Sequence, residues 1–146
     1  MNTTTTFSTI EQLKLQLHIS ESELETLLRK GVSIDHLALI KKHFENKLGE
    51  VAEVIYADHE HVTPTESIIL LGSLIDLFVA VKGDVEEFNV VLDVIQTQLQ
   101  KKHLMPGTEE FDEDLGGVQM IGEISALSGE LTASYEDGKS IHTAFA

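Results

Sequence analysis

The chain has no cysteine and no tryptophan, two prolines, and ten Lys and Arg against 25 Asp and Glu in 146 residues. Without cysteine there can be no disulfide framework, thiolate nucleophile or thiolate-held zinc. A reducing compartment is compatible with that. With six Phe and two Tyr as the only aromatics, the core has to be aliphatic. The shortage of bases leaves a formal net charge of −15. A field of that sign repels nucleic acid and anionic membranes, so neither is an expected partner. No long apolar run is present either. The longest, Ile68 to Val81, is broken by Gly72, Ser73 and Asp76. It falls short of the ~20 residues that span a bilayer. Met1 to Phe7 carries neither the basic nor the apolar region of a signal peptide. The expected location is therefore cytoplasmic, or intracellular within a particle assembled there.

What the chain does have is helix punctuation. Ser8-x-x-Glu11, Ser20-x-x-Glu23, Thr63-Pro64-Thr65-Glu66 and Asp84-x-x-Glu87 each put an oxygen-bearing side chain at a helix start. Each also puts a Glu three residues on, where it can reach back to the cap and favour the positive helix end. The spacing predicts helices at residues 9–17, 21–30, 34–57, 64–82 and 85–105. In the third, Leu37, Ile40, Phe44, Leu48, Val51 and Ile55 step by three and four, as a buried stripe requires. Gly49 interrupts it, and is read as permitting a close helix crossing. The fourth helix is apolar on almost every side, with Glu66, Ser73 and Asp76 as a thin polar line, so it is placed at the centre. The fifth buries Phe88, Val91, Leu92, Ile95 and Leu99 and stops at Pro106-Gly107.

Beyond residue 107 the composition shifts. Thr108 to Asp114 holds five acids in seven residues and reads as a solvated loop, with Gly116-Gly117 as a flexible joint. Residues 118–128 fit a short helix, with Val118, Ile121, Ile124 and Leu127 inside, and also fit a strand. The last residues alternate. Leu131, Ala133, Tyr135, Ile141 and Phe145 share one face if Glu136-Asp137-Gly138 forms a three-residue hairpin loop with Gly138 in the left-handed region. The expected fold is mainly α: a single domain of five to six helices around a central apolar helix at about 64–82, with a C-terminal β-hairpin. Its expected divisions are an extended arm at 1–8, a helical domain at 9–107, an acidic linker at 108–117, and a short helix or strand plus hairpin at 118–146.

Chemistry-bearing constellations are few. Asp58-His59-Glu60-His61 could put two imidazoles and an oxygen ligand on one side of an extended segment, as zinc accepts. A third ligand at a recognised spacing is missing, and a polar inter-helix loop explains the cluster as well. His36, His43 and Glu50 repeat every seven residues, about 10 Å per step along a helix, which is too far for one ion. Ser33, Asp35 and His36 contain the residue types of a hydrolase triad, but their crowding at a helix start fits a cap. Glu21, Glu23 and Glu25 stand where a DNA-reading helix would need Arg, Lys, Asn or Gln.

Ile10 to Leu17 is similar to the opening helix of helical phage head–tail adaptors, over a small part of the chain and without a specific motif, so no family membership follows. The expected function is a non-enzymatic, acidic protein-binding module: an adaptor, inhibitor or assembly component without a cofactor. Its expected partner is a protein, with a basic surface, a second copy of the chain or a larger assembly. The residues expected to meet that partner are Glu109, Glu110, Asp112, Glu113, Asp114, Tyr135, Ile141 and Phe145. The alternative is a metal-dependent enzyme built on Asp58, His59, Glu60 and His61.

Overall fold

A computed structural model describes residues 11, 21–31, 33–57, 61–112 and 115–138. Among them the protein is mainly helical, with no strand. The helices are α1 (Glu21–Leu28), α2 (Ile34–Lys47), α3 (Gly49–Ala57), α4 (Pro64–Ala80), α5 (Val85–Lys101) and α6 (Gly116–Glu136). No helix among these residues is long and apolar enough to cross a membrane.

The helix starts follow from their caps. The Ser33 hydroxyl accepts from the His36 backbone N–H at 3.2 Å. Thr63 accepts from Glu66 N–H at 3.2 Å, with Pro64 occupying a position that has no N–H to satisfy. One Asp84 oxygen accepts from both Glu86 and Glu87 N–H, at 3.0 and 3.2 Å. The stops use left-handed residues. Lys82 (φ 58°) and Gly83 (φ 74°) end α4, and the Gly83 N–H returns to the Phe78 carbonyl at 3.0 Å. His103 (φ 59°) closes α5 ahead of the expected Pro106-Gly107 stop, with Leu104 N–H on the Leu99 carbonyl.

α4 is central: it packs against α1, α2, α5 and α6. The predicted stripe of six residues from Leu37 to Ile55 is fully buried, as are all five on α5. Phe78 of α4 meets Phe88 of α5 edge to face at 5.2 Å. The third expected helix is two. Leu48 (φ −120°, ψ 39°) bends the chain, yet Leu48 N–H still bonds Phe44 and Ala52 N–H still bonds Leu48. Gly49 is exposed, and a Cβ there would meet nothing within 4 Å. It marks the bend and makes no close crossing.

The expected C-terminal hairpin is overturned in its first strand. Residues 131–136 continue α6, a helix of 21 residues. Ile121, Ile124, Leu127, Leu131 and Ser134 recur at helical spacing and are all buried, whereas Ala133 of the apparent alternation is exposed. A helix thus buries more than a two-stranded piece with an open edge could. Gly138 does sit at positive φ (77°), but as the stop of α6, its N–H on the Tyr135 carbonyl. The second expected strand, with Ile141 and Phe145, lies outside the described residues. Residues 118–128 are helix throughout, and Gly116-Gly117 form the first turn of α6, buried. A Cβ on Gly116 would lie 2.4 Å from the Phe111 ring, so only glycine fits that approach without a shift.

Candidate functional site

Of the residues expected to bind a partner, those described do not come together. Glu109, Glu110 and Asp112 are exposed in the turn before α6, where Glu110 stands 3.6 Å from His103 Nδ1. Glu113 and Asp114 lie outside the described residues. Tyr135 lies at the far end of α6, about 30 Å along the helix axis from the acidic turn. It is half-buried and donates its hydroxyl to Glu87 of α5. Burial, with that hydrogen bond and the Glu87 charge added, raises its pKa above the usual phenol range. Tyr135 is thus a tie between α5 and α6.

Of the metal candidates, Asp58, His59 and Glu60 lie outside the described residues, and His61 is half-buried ahead of α4. Among the described residues no three His, Asp or Glu side chains are grouped closely enough to hold an ion. Ser33 is engaged as a cap by the backbone of His36, and the His36 ring packs 5.7 Å from Phe78.

The structure assembles a different place, a groove along the seam of α4 and α6. The two helices form the most extensive pair in the molecule. Along one edge of their contact the side chains are small. The Ser73 hydroxyl donates to the Ile69 carbonyl at 2.8 Å and stands 3.0 Å from the Ser125 hydroxyl. Beyond this pair the helices leave a recess of about 310 Å³. Asp76 of α4 and Ser128, Gly129, Thr132 and Glu136 of α6 line it. A second hollow of about 480 Å³ shares Asp76, Thr132 and Glu136, and adds Lys30 from the end of α1 with Val79 and Ala80. The volumes suit a side chain or small ligand.

Its polar groups are unevenly satisfied. Lys30 Nζ reaches both Asp76 carboxylate oxygens at 3.3 Å. Glu136 has no cationic partner among the described residues. Ser128 is 1% exposed, yet its hydroxyl and that of Thr132 are buried without a hydrogen-bond partner. Such groups are costly to leave unpaired. Among the described residues no histidine lines the groove, so none of them offers its serines an imidazole base. The arrangement can accept hydrogen bonds and hold positive charge.

Sequence reasoning singled out Ser73 and Asp76 as the polar line of α4 but missed their counterparts. The signal was present: Ser125, Gly129 and Ala133 repeat every four residues, with Ser128 and Thr132 offset beside them. It becomes readable once residues 116–136 are one helix. No protein-family model, curated protein or solved structure matches the chain.

Proposed function

We propose that the protein is a non-enzymatic, acidic binding module that works inside the cell through protein–protein contacts, as an adaptor, an inhibitor or a component of an assembly. The observation that carries this reading is the net charge of −15 on a helical scaffold with an aliphatic core. Glu50, Glu53, Glu86, Asp93, Glu130 and Glu136 are all exposed, on three different helices. A charge of one sign over a fixed framework steers a basic partner to it and speeds encounter. Ile69 and Val79, exposed by 46% and 51%, offer apolar contact on the outer side of α4.

The test is capture of the untagged protein's partner from its native source, mass measurement of the intact complex, and association kinetics across salt. The association rate should fall steeply from low to physiological ionic strength while dissociation changes little. A salt-independent association rate would reduce the acidic surface to a solubility device.

A further inference from the structure

We propose that the groove between α4 and α6 receives a lysine or arginine side chain from a helical segment of a basic partner protein. This rests on the reading of the protein as an acidic binding module and gives that module a site. Four observations converge. The recess is about 310 Å³ and continues into a second hollow, which gives a long side chain room to enter. On its wall, the Ser128 and Thr132 hydroxyls are buried and unpartnered, and a guanidinium or ammonium brings the donors they can accept from. Glu136 supplies the charge, since Asp76 on the opposite helix is already paired with Lys30. Lys30 already places one ammonium on Asp76, so this face holds a cation; Glu136, without a cationic partner among the described residues, is left for a second.

The approach must be close for such a side chain to reach Ser128, and α6 allows it. Gly129 and Ala133 are exposed, and a Cβ on Gly129 would meet nothing within 4 Å. A helix can lie over this smooth strip while exposed Val79 covers its apolar flank. The net charge of −15 selects a basic partner and opposes a second copy of the same chain.

The experiment is an NMR titration of the full chain with three probes: an alanine-rich helical peptide carrying a central arginine, the same peptide with glutamine there, and guanidinium alone. Amide shifts at Asp76, Ser128, Thr132 and Glu136 should follow the arginine peptide and be absent with the glutamine peptide. Glu136→Gln should weaken binding roughly tenfold, the scale of one charged hydrogen bond. Gly129→Leu should abolish it by filling the groove while leaving the helical spectrum and thermal transition intact. Gln100→Ala, exposed at the end of α5 remote from the groove, should bind as wild type. Shifts scattered over the acidic surface, equal response to both peptides, or undiminished binding by Gly129→Leu would each overturn the assignment. Guanidinium binding as tightly as the peptide would make the groove a small-cation site and overturn the protein-partner assignment. If a natural partner associates in a salt-dependent way and Gly129→Leu retains it, the groove fails and the acidic module stands. If association with that partner is independent of salt, the module reading fails as well.

Discussion

The two flanks of α4 are built on opposite principles. Toward α2 and α5, where Phe78 meets Phe88 edge to face, the neighbouring helices bury large side chains: Leu37, Ile40 and Phe44 on one, and Phe88, Leu92 and Ile95 on the other. That flank is filled. Along the seam with α6 the lining is hydroxyls, one glycine, one alanine and two carboxylates, and a hollow remains with the buried Ser128 and Thr132 oxygens unsatisfied. Large residues at three- and four-residue spacing specify a tight core from sequence and leave nothing for a ligand. Small residues let backbones approach but leave unfilled space, and polar groups within that space are open to binding. One helix thus has a filled side and a side that leaves a hollow.

The sharpest way to break this contrast is a charge on the filled flank. Leu74→Asp should abolish the cooperative melt, because Leu74 is buried and α4 has no polar side to rotate outward. A melt close to that of wild type would refute the central placement of α4. Truncation after Glu130 comes next. It removes the buried Leu131 and the Tyr135–Glu87 tie. A loss of about 2–5 kcal/mol is expected for a buried leucine alone, read from denaturant unfolding. A loss near zero would make the end of α6 an appendage.

Tyr135→Phe tests the same contact more gently, and about 1 kcal/mol should be lost near neutral pH, since the bond is partly exposed. Its pH dependence has a fixed sign. The folded pKa of Tyr135 is raised above the ordinary value near 10, so its contribution is full below that pH and declines as pH rises further. Tyr56, raised by burial, acts in the same direction, whereas burial lowers the pKa of Lys41 and acts oppositely in that range. The difference between wild type and Tyr135→Phe should therefore shrink above pH ~10. A constant difference would detach the hydroxyl from the stability of the α5–α6 contact. The smallest effect should be a gain. Gly122→Ala lies in exposed helix with open space around the new Cβ, and should stabilise α6 by about 0.5–1 kcal/mol.

The same contrast explains how much could be read in advance. Ser33, Thr63 and Asp84 announce their helices through bonds made within three residues, and such local chemistry is visible in any window of sequence. The stripes on α2, α3 and α5 are carried by Leu, Ile, Val and Phe, whose spacing shows their period. α6 hides its period. Ser128 and Ser134 occupy buried positions, and Gly122 and Gly129 dilute the remainder, so Leu131, Ala133 and Tyr135 pass for alternation. The groove was less readable still, because it joins Lys30, Asp76 and Glu136 from three helices far apart in the chain.

The start of α6 bears on the order of assembly. Leu115 provides no side-chain cap, no acid stands in the first turn, and four glycines lie within the helix. A helix so weakly favoured by itself forms chiefly by docking. Its anchor on α4 bridges 52 residues between Ser125 and Ser73, whereas α4 and α5 are joined by a single tight turn. Closing the longer loop carries the larger entropy cost, so α4 with its sequence neighbours can condense first and α6 arrives last. During synthesis, the groove would then be absent until α6 has emerged and settled, and an immature chain would lack the proposed seat.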